Sequence, residues 1–576
     1  MDENLLIYPD AQSCRAVIID SNPVTRGLLA DMLRQMGLAQ ITQCGKLLDG
    51  RRAIEAKVFD IILCEYNFPN SPAAGQALLD DLRRSQLLPY STVFIMVTAE
   101  ATYTSVTEAA EAALDSFLIR PHNANALEER LIQAHNRKKT LADIYEAMER
   151  SDLQKAADLC VDRVEKRSFY WLYSARIGAE LQLRLGRNDI AKKLYEAVEA
   201  AKDQPWAKLG IARTEIAEGE FAEAKKILES LIRENSSYAD AFDVMGRLQV
   251  EQGDLGDALR TYRNASQITP FSITRLQREG TLAFIAGESQ EAIQALERAV
   301  HSGLNSKLFD CQTLVILCIL HFDNRDSRQF SQAYKNLERT LSRTPGSTRL
   351  MRFRSVASVF KLLLESRIME GIALTRGMML DILDERFDFE AAANLLTTVT
   401  QLKITEANLE DDEGWVKTLA SRFCVSEGAT EMLCQAAAKY EPYVNLIRNA
   451  RAEIDDAAEK AINFSTSGAH IVAVKTLMIK GSETRNAQLI KLAGKVLQRY
   501  ADKMDNFETI QMVINDLKNR YCSQGTQVRL GAHGGRAAGG INLRISSSSR
   551  GLDGPNHTGP LIDGHRTALN VSHHPS

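Results

Sequence analysis

The chain has 576 residues, with 70 Lys and Arg against 74 Asp and Glu and a formal net charge of −4. That length exceeds one ordinary hydrophobic core and calls for two or more domains. The near-balanced charge gives no electrostatic case for a dedicated nucleic-acid binder. Nine scattered cysteines form no CxxC pair and no cluster with histidine, the pattern of reduced thiols in a cytoplasmic protein. The N-terminal Met1-Asp2-Glu3-Asn4 has no basic segment ahead of an apolar one, so no signal peptide is expected. The apolar run from Thr313 to Phe322 is far short of the ~20 residues of a membrane helix, so no membrane insertion is expected either.

Apolar runs that end in polar residues mark the first domain, over residues 12–136. Ala16-Val17-Ile18-Ile19 runs into Asp20, and Phe59 to Cys64 runs into Glu65. Val93 to Val97 leads to Thr98, and Ser116 to Ile119 leads to Arg120-Pro121. Between the first two runs, Val24, Leu28, Leu29, Met32, Leu33 and Met36 recur at helical spacing up to Gly37. Strands alternating with helices predict an α/β domain with a doubly wound parallel sheet. Its chemistry belongs just beyond the carboxyl ends of the strands.

The ordered set Asp20, Glu65, Thr98 and Arg120 at successive strand ends resembles the receiver domain of response regulators. Val97-Thr98-Ala99-Glu100-Ala101 and Leu127-Glu128-Glu129-Arg130-Leu131 are similar to single-domain chemotaxis regulators. The resemblance implies a flavodoxin-like fold and a phosphoacceptor-equivalent pocket of Asp20, Ser21, Glu65, Thr98 and Arg120. It also implies a switch pair, Thr98 and Phe117. Three positions depart from the family: Ser21 stands where a direct Mg²⁺ ligand is usual, Glu65 replaces aspartate, and Arg120 replaces lysine. The expectation is a pseudo-receiver in which Glu65 stands in for a phosphoryl charge and forms a bidentate pair with Arg120. A domain kept only for docking and a phosphotransfer-competent regulator are the alternatives, with a purely structural assembly scaffold as a third reading of the whole chain. No cofactor is expected, with a weakened Mg²⁺ site at Asp20 and Glu65 left open.

From Asn125 to Arg150 a helical pattern runs on without glycine or proline, and Lys138-Lys139 is either a solvated face or a joint. Over residues 139–350, Gly186, Gly219, Gly253 and Gly287 recur at intervals of 33 and 34. Five residues after each comes Ala191, Ala224, Ala258 or Ala292, and four later Tyr195, Leu228, Tyr262 or Leu296. This resembles the tetratricopeptide repeat, which implies an all-α solenoid of stacked helical hairpins. Ala333 with Pro345, and Gly468 with Ala473 and Leu477, echo the pattern further on. Residues 351–522 therefore read as divergent helical repeats that continue the solenoid, with a separate helical domain as the rival reading.

From residue 523 to 576 glycine, serine and histidine take over, which predicts a disordered tail. His573-His574 has no partner at ligand spacing, and Asp411-Asp412-Glu413 reads as a solvated loop. No GxxxxGK[ST], HExxH or GxSxG occurs, so no catalytic residue is assigned and no enzyme is expected. The register of the repeat implies that first-helix residues Tyr173, Arg176, Trp206, Arg213, Asp243 and Arg247 line the concave face. Aromatic and arginine side chains are the usual anchors for protein partners, although Trp206 and Tyr173 could equally pack between repeats. A sensor kinase or a chemotaxis or motility component is the partner class in view.

Overall fold

The computed structural model describes residues 13–69, 75, 78–79, 82, 88–98, 115–270, 272–304, 309–405, 409–504 and 506–522. The expected tail with His573 and His574, and the Ala99-Glu100-Ala101 part of the Val97 motif, lie outside the described residues.

The N-terminal domain is built on five parallel strands in the order β2-β1-β3-β4-β5. They are β1 Arg15–Ile19, β2 Gln40–Cys44, β3 Ile61–Glu65, β4 Val93–Thr98 and β5 Ser116–Ile119. Val17, Ile19, Ile62, Cys64, Phe94 and Met96 enter one core, and Ala16, Ile18, Ile61, Leu63, Val93 and Ile95 the other. Burial on both faces is why the inner strands read as unbroken apolar runs. β2 carries the sequence Gln-Ile-Thr-Gln-Cys at the sheet edge and escaped the sequence reading for that reason. Helix α1, Pro23–Gln35, starts at Asn22, whose side chain accepts from the Val24 N–H. Helix α2, Leu47–Ala56, follows β2.

The helix Ala124–Thr140 lays Leu127, Leu131 and Ala134 on the sheet and runs straight towards the helical part of the chain. Lys138 is buried at its end and Lys139 is exposed, so the dilysine is a joint. Asp115, just before β5, accepts from Arg137 at 2.9 Å and pairs with Lys138 at 3.1 Å. Lys138 also donates to the Tyr90 carbonyl at 2.5 Å. The Tyr90 N–H in turn donates to Glu149, at the end of the next helix, Ala142–Glu149, at 2.9 Å.

The repeats follow as helical pairs, among them Trp171–Arg184 with Asn188–Ala201 and Pro205–Glu218 with Phe221–Glu234. Next come Ala239–Gln252 with Leu255–Ile268, and Ile273–Ile285 with Ser289–Gly303. Each turn glycine of the repeat pattern has positive φ, from 74° at Gly186 to 94° at Gly219, which ends the first helix in the left-handed region. The alanines and the large residues after them are buried.

The later helical part opens with the helices Thr348–Leu364, Ile368–Met379 and Phe389–Ile404. Asp412 departs from the loop reading. It is buried in the first turn of the helix Asp412–Phe423, paired with Lys403 at 2.6 Å and bonded by the Tyr443 hydroxyl. The solenoid does not simply run on: the helix Glu427–Ala436 returns to lie against Ala239–Gln252. A core extending from Val250 to Ala450 joins these segments.

Candidate functional site

The five pocket residues converge where the strand order reverses, between β1 and β3. Asp20 follows β1, its side chain only 1% exposed. Its Oδ1 accepts from the Asn22 N–H at 2.8 Å. Glu65 is the last residue of β3, and its Oε2 accepts from both the Ser21 N–H at 2.9 Å and the Ser21 hydroxyl at 2.7 Å. Arg120 follows β5 through an N–H bond to the Thr98 carbonyl at 2.8 Å, and a cis peptide joins it to Pro121. One guanidinium nitrogen, Nη2, meets Asp20 Oδ2 at 2.5 Å and Glu65 Oε1 at 3.5 Å. Glu65 and Arg120 are therefore in ion-pair contact, but the pair is not bidentate, because the shorter bond goes to Asp20. Thr98 is buried at the end of β4. Phe117 is partly buried against the core of Cys64, Phe94 and Met96.

Burial pushes the Asp20 carboxyl above its usual value, and Glu65 adds to the rise. The Asn22 N–H, Arg120 and Arg26 act in the opposite direction. Arg26 is a contributor that sequence reasoning missed. From the first turn of α1 its Nη1 donates to the carbonyls of Asp20 at 2.6 Å and Ser21 at 3.1 Å. Arg120 thus contacts both carboxylates, whereas Arg26 holds the backbone beside them. Near them, burial and Arg120 lower the pKa of His122, whose Nδ1 is buried without a hydrogen-bond partner among the described residues.

The residues expected on the concave face fall on successive first helices that are laced together by charge. Glu180 of Trp171–Arg184 accepts from Arg213 of the next first helix at 2.9 Å. Asp243 of Ala239–Gln252 pairs with Arg275 and Arg278 of the following one, each at 2.8 Å. Trp206 stands edge-on to Tyr195 at 6.2 Å, and Arg176 lies over its ring at 5.6 Å. The Arg137 guanidinium lies over Tyr173 at 4.4 Å, and Arg247 is exposed. The pocket and these repeat residues are separate. The pocket lies past the carboxyl ends of the strands, whereas Tyr90 and Asp115 tie the helical part to the opposite ends of β4 and β5.

Comparison with known proteins agrees with this division. Residues 16–132 match the response regulator receiver domain, and residues 180–248 match the tetratricopeptide repeat. The chemotaxis protein CheY-3 of Vibrio cholerae is 26% identical over 120 residues, 21% of this chain and 90% of that protein. A solved structure of Vibrio cholerae CheY4 aligns with a TM-score of 0.20 at 17% identity, over 21% of this chain and 98% of its own. The C-terminal part of a tetratricopeptide repeat-containing protein from Cytophaga hutchinsonii aligns with a TM-score of 0.31 at 9% identity, over 53% of this chain and 98% of its own. The chain thus carries a receiver module of two-component signalling and a repeat module. Among the described residues no helix is long and apolar enough to cross a membrane.

Proposed function

We propose that this chain is a cytoplasmic, non-enzymatic signalling scaffold of the two-component type. An atypical receiver, closed by its own ion pairs, is joined to a repeat solenoid that binds protein partners. The bridge of Arg120 between Asp20 and Glu65 carries this reading. Glutamate places its carboxylate ~1.5 Å further out than aspartate. That extra reach goes with Oε2 accepting twice from Ser21.

The donor set does not suit Mg²⁺. The ion needs near-octahedral oxygen ligands at close range. Asp20 Oδ2 is already engaged by Arg120, the Ser21 hydroxyl donates to Glu65, and a guanidinium stands within 3.5 Å of both acids. A dication there would displace or face that positive charge, so no phosphoryl transfer is routed through the pocket. The chemotaxis proteins similar to the receiver module favour a chemotaxis or motility component, or a sensor kinase, as the partner class.

Incubation with acetyl phosphate and Mg²⁺, followed by intact-mass measurement, tests the pocket. An unchanged mass is expected. A stoichiometric gain of one phosphoryl group overturns the reading in favour of a phosphotransfer-competent regulator. Capture experiments with the full chain test the groove, where a partner retained by wild type is expected to be lost from Trp206→Ala.

A further inference from the structure

The far end of the helical part breaks a rule that the repeats keep. Among the described residues 171–347 no large apolar side chain stands exposed to solvent. The last two helical pairs are Glu441–Thr466 with His470–Thr484, and Ala487–Arg499 with Phe507–Tyr521. Gly468, at φ 88°, turns the first of these pairs as the repeat glycines turn theirs. In both pairs the second helix presents large apolar residues to solvent. Ile471, Val472 and Ile479 are exposed on His470–Thr484, and Met512 and Val513 on Phe507–Tyr521. Ile479 is 61% exposed and Met512 65%. At about 100° per residue, Ile471, Val472 and Ile479 fall within one sector of their helix. The last unit of a solenoid ordinarily carries a polar outer face. This one does not, so it calls for a cover.

We infer that the chain covers this face itself, with the segment Ile541-Asn542-Leu543-Arg544-Ile545. That segment lies outside the described residues, and Cys522, the last described one, directly follows the helix Phe507–Tyr521. Ile541, Leu543 and Ile545 alternate with polar residues inside a glycine- and serine-rich stretch. In extended form the three present one apolar edge of about 13 Å. The helix from Ile471 to Ile479 offers about 12 Å. Reach agrees as well. Residues 523–540 form the tether, and a glycine-rich chain of that length spans about 20–25 Å. The helix it must run back along is about 22 Å long. Such a tether holds the segment at about millimolar effective concentration, so a second copy at micromolar concentration competes poorly for the same face. Charge points the same way. Residues 523–550 hold four arginines and no acid, while Glu483 and Glu508 stand exposed, one on each of the two helices.

Fluorescence anisotropy tests this with a labelled peptide of residues 539–547, Gly-Gly-Ile-Asn-Leu-Arg-Ile-Ser-Ser. It is titrated with two full-length proteins, wild type and the triple variant Ile541→Asp, Leu543→Asp and Ile545→Asp. The triple variant is expected to bind the peptide with a Kd of about 100 μM. Wild type is expected to bind it about tenfold more weakly, because its own segment at about 1 mM already holds the site. Ile479→Asp added to the triple variant is expected to lose about tenfold or more in affinity at an unchanged melting temperature, since the side chain it replaces is exposed. If Ile479→Asp melts lower than its parent, Ile479→Ser is read in its place. Light scattering is expected to give wild type and Ile479→Asp the same mass. Four results would each overturn the inference: no binding to the triple variant at about 1 mM protein, equal affinity for wild type and triple variant, full affinity after substitution of Ile479, or a wild-type oligomer that Ile479→Asp dissociates. The last would put a second copy on the face instead.

Discussion

Arg120 closes on Asp20 before Glu65: its Nη2 is 2.5 Å from Asp20 Oδ2 and 3.5 Å from Glu65 Oε1. Without the guanidinium, a buried carboxylate faces a second one. Arg120→Met is therefore expected to lose about 2–4 kcal/mol at neutral pH, somewhat below the ~3–5 kcal/mol for breaking a fully buried pair from one side, because the Arg120 side chain is 24% exposed. The pH dependence has a definite sign. A carboxyl whose folded pKa lies above its unfolded value gives stability that is present below the unfolded value and lost as pH rises through the folded one. Burial already raises Asp20 above 3.8, and removing Arg120 raises it further. The deficit of Arg120→Met should therefore shrink on acidification, as urea midpoints at neutral and acid pH will show.

Restoring the residue types usual in receivers should reopen the pocket. Ser21→Asp, Glu65→Asp and Arg120→Lys together supply a second acid, a shorter carboxylate and a cation that cannot bridge as a planar fork. The triple variant is expected to gain one phosphoryl group from acetyl phosphate with Mg²⁺. Glu65→Asp alone is expected to stay unmodified, since Arg120 still holds Asp20. Intact mass distinguishes the two, and a null result for the triple variant counts against the ion-pair account.

The strand-end residues were legible because each closes an apolar run, and the repeats because their glycines must adopt positive φ at a fixed interval. Arg26 was not legible, since a lone arginine in a first helical turn carries no signal of which carbonyls it will reach. The buried pairing of Asp115 with Arg137 and Lys138 was hidden likewise. A lysine pair on a helix reads as a solvated face until the neighbouring element is known. The loop reading of Asp412 failed for the same reason, because Lys403 and Tyr443 lie 9 and 31 residues away.

A second acid–base relation lies in the later helices. Arg349 contacts Asp310 at 3.0 Å and Glu390 more closely still, and Asp388 stands at 3.9 Å. Three carboxylates share one guanidinium, and burial pushes the Glu390 carboxyl up to about 8. By the same sign rule, its contribution is present below the unfolded value of 4.5 and lost as pH rises through about 8. Wild-type melting temperature should fall by several degrees across that window. Glu390→Gln should fall less, and calorimetry on either side of the transition checks it.

Arg213→Ala was a natural binding probe from sequence alone, but its ion pair changes the expectation. Glu180, with its side chain 7% exposed, would be left without its guanidinium. A loss of about 3 kcal/mol in stability is expected, at the lower end for orphaning a buried charge. Glu180→Gln together with Arg213→Met should recover much of that loss. Denaturant midpoints of the single and double variants measure the coupling.

Gly428→Ala tests the return of the late helices onto the repeats. Gly428 is the second residue of the helix Glu427–Ala436, and a Cβ there would lie 1.7 Å from the Val250 carbonyl oxygen. Two effects compete. Alanine improves helix propensity by about 1 kcal/mol, whereas forcing backbone atoms apart in a packed interior typically costs 1–3 kcal/mol and occasionally more. The obstacle is main chain and cannot rotate away, so the clash wins and a net loss of about 2 kcal/mol is expected. Gly256 supplies the matched control. It is the second residue of the helix Leu255–Ile268, and a Cβ there meets nothing within 4 Å. Gly256→Ala should therefore be neutral or stabilising by up to about 1 kcal/mol. Thermal melts of the two variants side by side separate docking from propensity. Equal stability would mean that the helix Glu427–Ala436 does not press on Val250 in solution.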